Sequence, residues 1–365
     1  MKIIFDHQIF MQQSYGGISR YFVSIAMELK KINQDVSIIA PIHKNKYLFE
    51  SRHDIKITGK FFNNFPPKTT PIIASINNII TNINTKNTKN TILHETYYSH
   101  IDSGNKAKKV ITVYDMIHEI FHDEMSSKDK TARNKKIALS RADHIICISE
   151  STKKDLINIL DIPSQKISVT HLGVDTNKIE INKLPLETKP YLLYVGNRNG
   201  YKNFHGFIKA YVESIELKND FDIIAFGGGN FTTQEVDQFK KLGILDNIKH
   251  VSGNDILLQQ LYHSAHAFVY PSLYEGFGLP PLESMVCKCP VVSSNTSSMP
   301  EVIGDAGHYF DPADSNSIAM AIKDVVYDEK LRMDLVTKGT YRAKQFTWEN
   351  CALKTLQVYN HVLSE

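Results

Sequence analysis

The stretch AFVYPSLYEGFGLPPLE, residues 267–283, decides the fold. AFVYPS is a short apolar run of the kind that fills a buried strand, and a helix is expected over 280–286. Between them YEGFG makes a turn, in which Gly276 and Gly278 let the backbone bend and leave its N–H groups uncovered. Pro280 and Pro281 suit the first turn of a helix, where a missing N–H is an orphan in any case. Strand, glycine turn and helix together make one step of a parallel α/β sheet.

The same step recurs outward from there. YLLYVG (191–196), a helix over 203–217, DIIAFG (222–227), a helix over 232–242, IKHVSG (248–253) and a helix over 255–264 precede it, and PVVSS (290–294) follows. Upstream stand KIIFD (2–6), a helix over 16–31, DVSIIA (35–40), TILHE (91–95), KVITVYD (109–115), HIICIS (144–149) and KISVTHLGVD (166–175), with helices over 128–141 and 150–160. Residues 44–91, rich in Asn, Lys and Thr, read as a loop-laden insertion with one helix near 71–83. A long helical pattern over 315–345 leads to FTWEN (346–350), where Thr347 is a suitable N-cap for a last helix over 349–363. The fold class expected is therefore α/β, with two Rossmann-like doubly wound parallel sheets at 1–176 and 191–346, a linker at 177–190 and a terminal segment at 347–365. Such sheets take ligands beyond the carboxyl ends of their strands, so the expected site is a cleft between the two.

At 365 residues, 42% hydrophobic and 22% charged, the chain has the composition of a globular protein that needs no staple. Its four cysteines form no CxxC pair and no zinc-like spacing, which favours a reduced, cytoplasmic setting. MKIIFDHQIF is too soon interrupted by Asp6 and His7 to be a signal peptide, and no stretch approaches the ~18–20 apolar residues of a membrane span. Net charge is uneven: residues 1–185 hold 26 Lys/Arg against 18 Asp/Glu, and residues 186–365 hold 16 against 21. A basic first half suits an anionic surface or acceptor. Lys128, Lys130, Arg133, Lys135 and Lys136 are expected on one helix that meets anionic lipid or a lipid-diphosphate acceptor. Nucleic acid is disfavoured, because the basic residues are not interleaved with aromatics.

The turn at 274–279 and its helix mouth form an anion site that a phosphate fits. Two carboxylates beside it, Glu275 and Glu283, would repel a phosphate, so they should serve hydroxyls of the same ligand. A sugar nucleotide has a diphosphate in the middle and polyol rings at both ends. Glu283 would accept hydrogen bonds from the ribose and Glu275 from the transferred sugar, with Gly276, Phe277, Gly278 and Leu279 framing the diphosphate. After YLLYVG comes NRNGYKN (197–203), where Arg198 and Lys202 offer a fork and a point charge to a diphosphate leaving group. The triplet DFD at 220–222 imitates a metal-binding pair but precedes its strand, at the wrong end for the ligand.

These motifs resemble the retaining glycosyltransferases of family 4, whose two-Rossmann-domain architecture is called GT-B. The resemblance covers nearly the whole chain: Gly16-Gly17 is similar to the acceptor-side glycine loop, VGNRNGYKN to the G-x-R…KN segment, IIAFGGG to the second strand and turn of the C-terminal domain, and PSLYEGFGLPPLE to the two-glutamate signature. FTWEN and the helix after it resemble the family's terminal segment, which crosses back onto the first domain. SYGGISRYF, VYDMIHE and GLPPLE are most like bacterial mannosyltransferases of polysaccharide assembly that use GDP-mannose. The resemblance implies hexose transfer from a nucleoside diphosphate sugar to a glycan or lipid-diphosphate-linked acceptor, with retention, no cofactor and no essential metal. It adds Gly196 and Ser252 to the donor contacts. Relatives often place His-Asp where this chain has Tyr114-Asp115, so Tyr114 is expected to replace that histidine or His118 to reach in from the next turn; Asp115 and His118 are the expected catalytic groups here, and Tyr114 and the similarly placed His94 are expected acceptor contacts with Gly16 and Gly17. The implied reaction is front-face, the departing diphosphate taking the acceptor's proton. A UDP-sugar donor, a nucleotide-sugar 2-epimerase and a sugar-nucleotide binding module are the rival readings.

Overall fold

In a computed structural model of the chain, which describes residues 1–85, 90–102, 107–176, 189–198 and 200–364, thirteen strands fall into two wholly parallel sheets. The expected linker lies almost entirely outside these residues, as does Asn199. Two compact units result: Met1–Gly173 with Trp348–Glu365, and Val174–Thr347.

The sheet of the first unit comprises β1 (Lys2–Phe5), β2 (Asp35–His43), β3 (Lys56–Phe61), β4 (Thr91–Glu95), β5 (Lys108–Val113), β6 (His144–Cys147) and β7 (Ile167–Val169), in the order β3-β2-β1-β4-β5-β6-β7. The central strands are apolar runs because helices cover both faces, leaving no solvent side for a polar alternate. Register is direct: Ile3 pairs with Val36 on one side and Ile92 on the other. The helix Gly17–Lys31 buries Tyr21, Phe22, Ile25 and Leu29 and ends on Lys30 and Lys31, as the helix dipole favours. The last helix, Trp348–Ser364, belongs to this unit, with Trp348 against Tyr21 at 6.4 Å between ring centroids.

The second unit holds β8 (Tyr191–Val195), β9 (Asp222–Phe226), β10 (Ile248–Val251), β11 (Ala267–Tyr270), β12 (Val291–Ser294) and β13 (Gly307–Phe310), ordered β10-β9-β8-β11-β12-β13. Its core gathers Leu192, Tyr194, Phe207, Tyr211, Ile223, Phe239, Val269 and Ile322. Two expected helices are each broken once. Ser214 and Asp328 stand extended and cap the following helices, so the chain forms Phe204–Glu213 then Ile215–Asp220, and Ser315–Tyr327 then Glu329–Ala343. Both have short polar side chains that favour a cap over a helix interior.

β3 and β13 were not expected from the sequence. Both are edge strands, and Lys56, Thr58, Gly59 and Lys60 of β3 face solvent, so neither carries the apolar run that marks a central strand. The expected basic helix begins only at Thr131, after Lys128 and Lys130. Lys135 is fully buried, its Nζ 2.7 Å from Glu119 Oε2 and 2.8 Å from the Asp115 carbonyl, so the basic surface is limited to its neighbours.

Candidate active site

The site of the second unit is built where β8 and β11 end. β8 stops at Gly196, whose φ of +132° turns the chain into the loop that carries Arg198 and Lys202. β11 stops at Tyr270, and residues 271–278 carry Glu275 to the mouth of the helix Leu279–Val286. Backbone carbonyls tie the loops together: Leu273 N–H donates to the Tyr201 carbonyl at 2.7 Å, and Asn203 Nδ2 donates to the Pro271 carbonyl at 3.1 Å.

Lys202 and Glu275, 73 positions apart, meet at 2.6 Å. The ammonium also lies 5.4 Å from the Tyr201 ring centre and 5.9 Å from that of Tyr270. Glu275 is held from behind by a polar run that the sequence reading did not single out. Its N–H donates to Ser297 Oγ at 2.9 Å, while Ser298 Oγ donates to the carbonyls of Glu275 at 2.8 Å and Phe277 at 3.1 Å. Thr296 Oγ1 donates to the Leu273 carbonyl at 2.9 Å. The signal was available: NTSS between a buried strand and Met299-Pro300 is a cluster of side chains that bond backbone rather than propagate a strand.

Gly278 caps the helix at φ +93°, and a Cβ there would lie 2.8 Å from Met299 Cε. Pro280 and Pro281 follow Leu279, so two of the first-turn donors expected at this helix mouth are absent. The amides of Gly278 and Leu279 carry what remains. Phe277 is buried, Glu283 half-buried one turn into the helix, and Ser252 exposed just past β10.

Arg198 departs from expectation. All five of its N–H groups are committed within the protein. Nε donates to Glu235 Oε1 at 2.6 Å, NH2 to Glu235 Oε2 at 3.3 Å and the Asn230 carbonyl at 3.0 Å, and NH1 to the carbonyls of Gly227 and Gly229 at 3.0 Å each. Its guanidinium stacks 4.9 Å from the Phe231 ring centre. The fork clamps the turn Gly227–Gly229, three glycines at φ +82°, +69° and +74°. Glu235 sits where it does because Thr232 and Glu235 form a capping box at the start of the helix Thr233–Lys241. Burial works to raise its carboxyl, but Arg198 and the Thr232 amide and hydroxyl hold it below the usual range.

In the first unit, His94 and Tyr114 are corrected from acceptor contacts to core groups. His94 is fully buried, with Nδ1 2.6 Å from Tyr359 Oη and Nε2 2.8 Å from Thr112 Oγ1, and burial pushes it down to about 3, so it stays neutral. The buried Tyr114 hydroxyl donates to the Thr96 carbonyl at 3.2 Å. Asp115 and His118 are only half-buried. Asp115 Oδ1 accepts from the Ile117 amide at 3.0 Å, and His118 Nε2 lies 3.4 Å from Asp129 Oδ2. Gly16 caps the helix that Gly17 begins; a Cβ at Gly16 would strike Gln13 Oε1 at 2.3 Å, whereas Gly17 opens onto empty space. In the DFD triplet, Asp220 accepts from Tyr327 and Asp222 pairs with Lys249, so both carboxylates have structural partners.

Two family profiles match the chain, one described as Glycosyltransferase Family 4 over residues 15–178 and one as Glycosyl transferases group 1 over residues 176–342. The "O-antigen chain mannosyltransferase B" of Escherichia coli is 32% identical over 70% of this chain and 71% of its own length. The "O-antigen chain mannosyltransferase RfbU" of Salmonella typhimurium is 30% identical over 60% of each. Among solved structures, a glycosyltransferase from Rickettsia africae superposes with a TM-score of 0.73 at 19% identity, covering 99% of this chain and 98% of that one. Anabaena HepE, solved with UDP and glucose, does so with 0.74 at 15% identity, covering 99% of each. These likenesses establish the two Rossmann-like sheets as the GT-B fold.

Proposed function

This chain belongs to the family 4 glycosyltransferases, and we propose that it transfers mannose from GDP-mannose, with retention and without an essential metal, to a glycan or lipid-diphosphate-linked acceptor in bacterial surface polysaccharide synthesis. The names of the two O-antigen mannosyltransferases above support the sugar. The observation that carries the reading is the 2.6 Å pair of Lys202 and Glu275, with Glu275 three residues before the Gly278 cap of the helix Leu279–Val286.

On donor binding Lys202 exchanges Glu275 for the diphosphate, and the freed carboxylate accepts hydrogen bonds from mannose hydroxyls. The acceptor hydroxyl attacks C1 from the face that the diphosphate leaves. The C1–O bond to the β-phosphate breaks as the new C1–O bond forms, and the acceptor proton passes to the departing phosphate oxygen. Glu283, on the same helix, holds the ribose. Asp115 and His118, exposed enough to be reached, serve the reacting centre. Arg198 acts through the 227–230 turn rather than on the diphosphate. The exposed Lys128, Lys130, Arg133 and Lys136 meet anionic lipid at the inner face of the plasma membrane.

Thermal stabilisation by a panel of nucleoside diphosphate sugars tests the donor. GDP-mannose should raise the melting temperature with concentration, and Lys202→Ala should abolish the rise. A larger effect of a UDP-sugar would reassign the donor. Conversion of donor alone to its 2-epimer would replace transfer by epimerisation.

A further inference from the structure

The helix Thr70–Thr85 in the first unit is turned with its polar side in. Ile73, Asn77, Asn78, Thr81 and Thr85 are its buried residues. Ile72, Ile76, Ile79 and Ile83 are 62%, 39%, 59% and 60% exposed. Their spacing of four, three and four puts all four on one face. Single exposed isoleucines are ordinary, but a stripe of four marks an interaction surface. No other helix among the described residues exposes more than two large apolar side chains.

The orientation is fixed rather than accidental. Asn77 Oδ1 accepts from the Ile42 amide and Asn77 Nδ2 donates to the Ile42 carbonyl, both at 2.9 Å, where the β2–β3 ladder shifts register. Thr81 Oγ1 lies 3.2 Å from His7 Nδ1. Rolling the helix to hide its isoleucines would strand these buried polar groups without partners.

Charge selects the occupant. The helix carries no charged residue, and from Ile55 to His94 the sequence has five lysines and no Asp or Glu. Lys56, Lys60 and Lys68 are exposed. A second copy meeting this face about a two-fold axis would bring the lysines of one chain against those of the other. An anionic lipid surface instead offers an apolar boundary for the isoleucines and negative charge for the lysines that flank the helix in sequence.

We propose that the helix Thr70–Thr85 lies in the plane of an anionic membrane, its isoleucine stripe at the acyl boundary and the flanking lysines at the headgroups. This deepens the membrane-side acceptor reading above. Vesicle binding requires neither donor nor turnover, so failure of one is distinguishable from failure of the other.

The full-length chain is sedimented with phosphatidylcholine vesicles with and without phosphatidylglycerol, at low and high salt. Wild type should bind the anionic vesicles and weaken with salt. Ile79→Asn/Ile83→Asn, at sites already in water, should keep the wild-type melting temperature and lose about tenfold or more in partition, while Ile79→Leu/Ile83→Leu retains it. Absence of wild-type binding overturns the proposal. So does wild-type binding by the asparagine variant with loss in Lys128→Gln/Lys136→Gln, which would move docking to the other segment. A wild-type dimer by light scattering that the asparagine variant makes monomeric would assign the stripe to self-association instead.

Discussion

Replacing Glu235 separates the two roles open to Arg198. If the guanidinium clamps the Gly227–Gly229 turn, its carboxylate partner matters as much as Arg198 itself. The Arg198 side chain is 4% exposed and that of Glu235 20%, so the pair is desolvated on one side and partly wet on the other. Breaking a fully buried pair costs about 3–5 kcal/mol. Here the lower end applies, because Gly229 and Asn230 are exposed and their carbonyls rehydrate, and Glu235 keeps Thr232. Arg198→Ala should therefore cost about 3 kcal/mol, a drop of roughly 6–12 °C in the melting of this unit. Glu235→Gln keeps one neutral acceptor and should cost about 1–2 kcal/mol. The double variant should fall short of the sum by about 1 kcal/mol or more, since both changes break one interaction. Donor kcat/KM should fall about tenfold in Glu235→Gln, because a loosened turn misplaces the loop of Lys202. A diphosphate-gripping Arg198 makes the opposite forecast: removing a nearby acid would leave donor use unchanged or improve it. Unimpaired kcat/KM and stability in Glu235→Gln, beside a large loss in Arg198→Ala, would refute the clamp.

Acid should destabilise the first unit. Burial lowers His94 from its ordinary 6.5 to about 3 and, against an opposing bond from Asn45, lowers His43 to about 4, so the unfolded chain takes protons that the folded chain refuses. This stability is complete above pH 6.5 and lost as pH falls toward the folded values, about 2 kcal/mol per histidine at pH 5. Glu95 works the other way: burial outweighs Arg141 and raises it to about 7, so it favours the folded state as pH falls from 7 toward 4.5. Denaturant titrations at pH 7.5 and 5 should show a net loss that steepens in Glu95→Gln, and a flat profile in that variant would contradict these assignments. Gly278→Ala should cost about 2 kcal/mol, from a left-handed backbone and a methyl 2.8 Å from Met299 Cε, and Met299→Ala should relieve part of it in thermal melts.

The central strands and the opening turn were legible because burial on both faces leaves a continuous apolar run, and because a positive-φ cap before two prolines has one common use. The edge strands β3 and β13 were not, since solvent relaxes the demand for apolar residues. Lys202 and Glu275 were each picked out as ligands, but sequence spacing cannot show that two loops tied by Leu273 and Asn203 bring them to 2.6 Å. Arg198 misled for a related reason: a fork in a glycine-rich loop suits a phosphate and suits backbone carbonyls equally, and Glu235 lies 37 positions away. His94 and Tyr114 stood at strand ends, where ligand contacts are common; hydroxyls and a carbonyl, from Thr112, Tyr359 and Thr96, had already taken their polar atoms.

The most direct test of the donor site is a crystal structure with GDP bound. The β-phosphate should lie within hydrogen-bond distance of Lys202 Nζ and of the Gly278 or Leu279 amide, with the Lys202–Glu275 pair opened and Arg198 still on Glu235. A nucleotide bound away from that helix mouth, leaving Lys202 on Glu275, would contradict the account.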